Sequence, residues 1–275
     1  MTSAGNGEYN RRAAFFTEEY DDRSDLRFLT GLVGNRAISV LDIPCGTGRV
    51  SMHIARRPCR IWSVDREPEM IRVLEQQAAH AGLRHRLKAA VGDMSEFDLG
   101  RRFDLIIVPR EAFQLLTCRD SAARALTCFA RHLKSDGRLV VDLANFRVGP
   151  TAARNLLPDY FTPDRRDGIR IYDWTRFSNG RRISRWRTQD NASNDIFRLT
   201  LDFVSADGIS APDAFTAKIG FRKYDKGQFL GLARGSSLVC IGAYGDYDLN
   251  PISATSPRML FFLRKSGSSS KGAIP

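Results

Sequence analysis

The 275-residue sequence is short of several things. It has no run of the roughly 20 apolar residues that a membrane-spanning helix needs, so no membrane association is expected. Met1 to Glu8 is small and polar with no apolar core, so no secretory signal is expected. The five cysteines are odd in number and form no C-x-x-C pair, which excludes a zinc ribbon and a disulfide framework and points to a reducing cytoplasm. Histidine is scarce: His53, His80, His85 and His132 fall in helical or loop segments and read as surface or packing residues. No metal site is expected. A concentrated basic run is also missing. The net charge is +11, yet the arginine pairs (Arg56-Arg57, Arg101-Arg102, Arg165-Arg166, Arg181-Arg182) are scattered and no nucleic-acid motif accompanies them. The positive balance therefore suits an anionic small molecule or a solvated surface better than nucleic acid. Nothing in the sequence sets an oligomeric state.

What is present is an alternation of strands and helices. A helix is expected over Tyr9–Val33, ended by Gly34, then a strand at Ile38–Leu41, a Gly-rich turn and a helix over Arg49–Arg56. Further strands are read at Arg60–Val64, Arg86–Val91, Phe103–Val108 and Arg138–Leu143. Helices lie between them, one opened by Pro68 and closed by Gly82, another running from Asp120 or Ser121 to Gly137. Such alternation means an α/β, doubly wound, Rossmann-like parallel sheet. After Pro150 the texture changes to strands separated by turn signals, Asn179-Gly180 and Asp207-Gly208, which read as an inserted antiparallel sheet. The expected organisation is a core over 9–150, an insert over 165–224, a return to the core over 225–265, and flexible tails at 1–8 and 266–275. The last connection, Tyr244 to Pro257, holds Gly245, Asn250-Pro251 and Ser256-Pro257 and cannot be a helix. A parallel return needs a crossover, so the final strand is expected to run antiparallel.

The chemistry concentrates after the first strand, in Leu41-Asp42-Ile43-Pro44-Cys45-Gly46-Thr47-Gly48-Arg49. Gly46 and Gly48 permit close approach of backbone to a ligand. The helix that follows points free N–H groups at an anion. Asp42 ends the first strand and organises the turn or takes a ligand ammonium. Asp65, at the tip of the second strand, is placed to accept a ribose diol. Asp93 and Met94, at the tip of the third, suit the amino group and face of an adenine. A lone Gly-x-Gly is weak; glycine, acid and acid at three successive strand tips are more specific. The third glycine of G-x-G-x-x-G is missing, which argues against an NAD enzyme.

Residues Val40–Leu143 resemble the class I S-adenosylmethionine (SAM)-dependent methyltransferases, whose turn reads D-x-G-x-G-x-G, with Pro44 replacing the first glycine here. Phe221–Tyr224, Tyr244–Asp248 and Ser256–Met259 extend the resemblance to bacterial small-molecule enzymes with an antiparallel lid. The resemblance implies a seven-stranded sheet with an antiparallel last strand, SAM as cofactor, and methyl transfer to nitrogen or oxygen of a small molecule in specialised metabolism. It implies cofactor contacts from Tyr20, Asp42, Pro44, Cys45, Gly46, Gly48, Asp65, Arg66, Met70, Asp93, Met94 and Pro109. Glu111 and Gln114 are the candidate groups for orienting or deprotonating the acceptor. Phe16, Arg110, Phe113, Tyr172, Tyr244 and Asp246 are the candidate acceptor contacts. An RNA or protein methyltransferase is the alternative, motivated by the charge.

Overall fold

The computed structural model describes residues 12, 16–19, 23–149, 156–163, 166–178, 180–191, 193–208 and 211–267. Of the expected tails at 1–8 and 266–275, residues 1–8 and 268–275 lie outside the described residues, as does Tyr20.

Two sheets organise the chain. The first has seven strands, β1 (Ser39–Asp42), β2 (Arg60–Asp65), β3 (Leu87–Val91), β4 (Phe103–Val108), β5 (Leu133–Ala144), β10 (Leu238–Tyr244) and β11 (Arg258–Lys265). Their order is β10-β11-β5-β4-β1-β2-β3. β11 pairs antiparallel with both β5 and β10, while β1 to β5 pair in parallel. The loop after Tyr244 thus does what its composition demanded. The second sheet is an antiparallel meander of β6 (Arg170–Ser178), β7 (Arg181–Asp190), β8 (Ile196–Ala206) and β9 (Asp213–Arg222).

Period-two burial explains the layers. Leu41, Ile106, Val108, Leu139, Val141, Phe261 and Leu263 face one side, against α5 (Arg119–His132) and α6 (Lys226–Arg234). Val40, Ile61, Leu105, Ile107, Val140 and Phe262 face the other, against α2 (Ser24–Val33), α3 (Arg49–Ile54) and α4 (Pro68–His80). Strands covered on both faces read as near-continuous apolar runs, as Leu105–Val108 does. Each buried Leu, Ile or Phe contributes about 1.5–3 kcal/mol relative to exposure. Among the helices, α6 starts sharply because Asp225 and Gln228 form a reciprocal capping box.

Two expected boundaries shift. The continuous helix over Tyr9–Val33 is interrupted: a short α1 (Phe16–Glu19) precedes α2, and Arg23 between them is not helical (φ −117°, ψ 14°). The helix expected to close at Gly137 ends at His132, and β5 begins at Leu133. Gly137 serves a different need, because a Cβ there would stand 2.6 Å from the Phe103 carbonyl oxygen. A 3₁₀ turn over Arg110–Leu115 follows β4.

Candidate active site

The carboxyl ends of β1 to β4 open onto a cavity of about 540 Å³. Its near wall is the turn after β1. Cys45 N–H donates to the Val64 carbonyl (2.8 Å) and Gly46 N–H to Asp65 Oδ2 (2.8 Å). Glu67 N–H donates to Asp65 Oδ1 (3.0 Å). Asp65 therefore braces the turn against the second strand while lining the cavity, and burial holds its carboxyl above the usual range. Gly48 has φ +97°, and a Cβ there would lie 2.2 Å from Leu74 Cδ1. At Gly46 a Cβ would lie 2.8 Å from the Phe16 ring. Both glycines are thus required by backbone conformation and by crowding.

Asp42 is fully buried beneath this turn. Its Oδ2 accepts from Ser51 (2.5 Å), whose hydroxyl also meets Ser63 (2.7 Å). Its Oδ1 is buried without a hydrogen-bond partner. Burial pushes the Asp42 carboxyl up to about 7.

The opposite wall is an ionic network. Arg258 is fully buried; its Nε donates to Asp142 Oδ1 (2.6 Å) and its Nη2 to Glu111 Oε2 (3.1 Å). Tyr247 donates to Asp142 (2.8 Å) and Tyr160 to Glu111. Arg110 adopts a left-handed φ of 51°, held by its N–H on Asp142 (3.1 Å) and its guanidinium 3.6 Å from Asp25. Asp25 in turn takes both Nη atoms of Arg49 (2.6 and 2.7 Å). Burial alone would raise the Glu111 carboxyl, but Arg258 and Arg110 outweigh it and hold it below its ordinary value. Glu111 is a fixed anion.

The far wall combines Leu115, Leu116, Thr117, Cys118 and Ser121 with Lys218, Ile219, Gly220 and Phe221 of β9. Arg222 Nε donates to the Thr117 carbonyl (2.8 Å), tying the second sheet to the rim.

Of the expected residues, Phe16, Pro44, Cys45, Gly46, Asp65, Arg66, Met70, Asp93, Met94, Pro109, Arg110 and Glu111 all line this cavity. Seven others are placed away from its lining. Asp42 lies under the turn, and Gly48 caps α3. The Gln114 amide, expected at the acceptor, instead clamps Ala144 N–H and the Ala144 and Arg222 carbonyls. Phe113 is fully buried against Tyr224 and Phe229. Tyr172 is 57% exposed on the second sheet, packed against Trp186. Tyr244 packs edge-on to Phe262, and Asp246 accepts from Asp248 and Asn250 within its own loop. Sequence reasoning missed Arg12, Glu67 and Lys218 as lining residues. Glu67 follows Asp65 by two residues, and Arg12 precedes Phe16 by four, which is the weak signal each offered.

The residues fit SAM. Glycine backbone, three carboxylates (Asp65, Glu67, Asp93) and two methionine side chains (Met70, Met94) surround one end of the cavity. That set matches a zwitterionic tail, a ribose diol and an adenine.

Comparison with known proteins agrees. A methyltransferase domain model matches residues 40–137. The dTDP-3-amino-3,6-dideoxy-alpha-D-glucopyranose N,N-dimethyltransferase of Streptomyces fradiae is 30% identical over 150 residues, which cover 53% of this chain and 52% of that enzyme. The chain thus spans about half the length of that relative. The cypemycin N-terminal methyltransferase of a Streptomyces species is 26% identical over 230 residues, covering 82% of this chain and 83% of that protein. The CcbJ methyltransferase of Streptomyces caelestis superposes with a TM-score of 0.74 at 16% identity, covering 96% of this chain and all of that one (100%). The sugar N-methyltransferase KedS8 of a Streptoalloteichus species superposes with a TM-score of 0.70 at 20% identity, covering 97% and 96%. Residues 40–137 match the model of a methyltransferase domain, and the chain as a whole shares the fold of solved methyltransferases.

Proposed function

We propose that this chain transfers the methyl group of SAM to a nitrogen or oxygen of a small molecule that carries an anionic group, in a biosynthetic pathway. The observation that carries this reading is the continuity of the cavity. One space runs from the glycine turn, past Arg110 and Glu111, to the Lys218–Phe221 edge of β9. Cofactor and acceptor therefore share one enclosure. The Streptomyces fradiae relative is named for a nucleotide-linked amino sugar, an acceptor with both an amine and phosphates. Lys218 is the cation on the acceptor side that would meet such a charge.

SAM, when bound, supplies a methyl already activated by its sulfonium. The chain's own work is then alignment, which is worth up to about 7–11 kcal/mol. Pro44, Cys45, Gly46, Asp65, Arg66, Met70, Asp93, Met94 and Pro109 hold the cofactor end. Phe16, Leu115, Leu116 and Phe221 exclude water. Glu111 orients an acceptor N–H or O–H and stabilises the positive charge that grows on a methylated nitrogen. The core over 9–150 and 225–265 binds cofactor, and the insert over 165–224 roofs the acceptor. No described helix is long and apolar enough to cross a membrane. Five unpaired cysteines support a cytoplasmic setting.

The test is incubation with methyl-labelled SAM and host extract. Label entering an anionic metabolite as one or more methyl groups is the expected result; label confined to RNA or protein overturns the reading. A peptide amine is the second acceptor class, favoured by the match over most of the chain to the cypemycin enzyme.

A further inference from the structure

A second buried ionic cluster lies outside the cavity, on the inner face of the antiparallel sheet. Arg185 of β7 is 1% exposed, and its guanidinium lies 4.7 Å from the Trp174 ring centroid. Three carboxylates surround it. Nε donates to Asp173 (2.7 Å), Nη2 to Asp159 (3.2 Å), and Nη1 stands 3.9 Å from Glu19. Asp173 sits at an irregularity in the β6–β7 register, between Tyr172 and Trp174. An extra residue at such a place is turned out of the ladder and aimed at a partner.

Glu19 carries the cluster across to α1. It is itself buried and takes Arg12 Nε on both oxygens (2.9 and 2.9 Å). The Arg12 guanidinium lies 5.2 Å from the Phe16 ring centroid. Arg12 and Phe16 line the cofactor end of the cavity, and Phe16 presses on Gly46. Described residues of β6 and β7 do not line it. A physical chain thus runs from Asp173 through Arg185 and Glu19 to the turn that holds the cofactor.

Stability is a poor explanation for this arrangement. Ion pairs withdrawn from water often contribute less than apolar side chains of similar volume, whereas they do fix geometry. We propose that Arg185 is a positioning residue: it transmits the placement of the antiparallel sheet to Arg12 and Phe16, and so sets cofactor affinity from a strand outside the cavity. This rests on the reading that SAM occupies the cavity.

The experiment is calorimetric titration of the whole chain with S-adenosylhomocysteine. It compares wild type with Glu19→Gln, Arg185→Lys and Asp173→Asn. Coupling between sites typically amounts to about 5–150-fold in affinity, and about tenfold weakening is expected for Glu19→Gln and Arg185→Lys. Asp173→Asn, which keeps the side chain's shape and is remote from the cavity, is expected to weaken binding several-fold. Amide exchange over residues 16–19 should quicken in the same variants. Variants that melt earlier yet bind within about twofold of wild type, with unchanged exchange, would assign Arg185 a purely structural role and overturn the proposal. Wild type that binds no S-adenosylhomocysteine would sink the functional reading itself, and the Arg185 relation with it.

Discussion

Gly46 and Asp65, 19 residues apart, are joined by a 2.8 Å hydrogen bond from the Gly46 N–H to Asp65 Oδ2. The same carboxylate holds Glu67 N–H through its other oxygen. Two strand tips and the start of the next helix are thus fixed by one side chain. Hydrogen bonds to a charged group are worth about 1.5–3 kcal/mol each, so Asp65→Ala should weaken SAM binding by about tenfold or more. Titration calorimetry checks this; unchanged affinity would remove Asp65 from the cofactor site.

Gly48→Ala places a Cβ 2.2 Å from Leu74 Cδ1 at a residue with φ +97°. Overpacking costs typically about 1–3 kcal/mol, and the left-handed backbone adds about 1 kcal/mol or more. Urea unfolding should show a loss of about 2–4 kcal/mol, the sum of those two effects.

Asp42 predicts a pH dependence of stability. Its folded value is raised from 3.8 to about 7 by burial. Between those values the folded chain binds a proton that the unfolded chain has lost. Stability is then fully present below about pH 4 and falls as pH rises through about 7. Asp65 and Asp142 are raised too, so they add slope of the same sign. Asp42→Asn should flatten the fall between about pH 4 and 7 without abolishing it. Melting temperatures across that range would show it, and an unaltered slope would count against the assignment.

Glu111 is ionised throughout the working range because Arg258 and Arg110 overcome the effect of its burial. A carboxylate held that low is a weak base. Wild type and Glu111→Gln should therefore give pH–rate profiles of the same shape, the variant simply slower. An inflection near neutrality that disappears in Glu111→Gln would make Glu111 a proton acceptor after all. Breaking the buried pair with Arg258 should also cost about 3 kcal/mol of stability.

Period and punctuation made most of the fold readable. Phe103–Val108 announced a strand covered on both faces, and the proline-rich stretch after Tyr244 announced an antiparallel return. The break before Ser24 and the end of α5 at His132 depend on packing, which periodicity does not encode. At the site, strand tips were legible because topology forces them to one edge. Side chains whose role turns on distant partners were not. Gln114 looked like an acceptor group and is a backbone clamp between Ala144 and Arg222, 30 and 108 residues away. Lys218 enters from a separate sheet, with nothing local to mark it.

The place of β11 between β5 and β10 has a consequence for synthesis. Arg258 neutralises Glu111 and Asp142, which emerge from the ribosome more than a hundred residues earlier. Until it arrives, Glu111 and Asp142 lack the guanidinium that bridges them, and β5 lacks one of its two neighbours. The site is therefore completed by a strand made after every described lining residue, and a chain stopped short of residue 258 carries those residues without the guanidinium that joins Glu111 to Asp142.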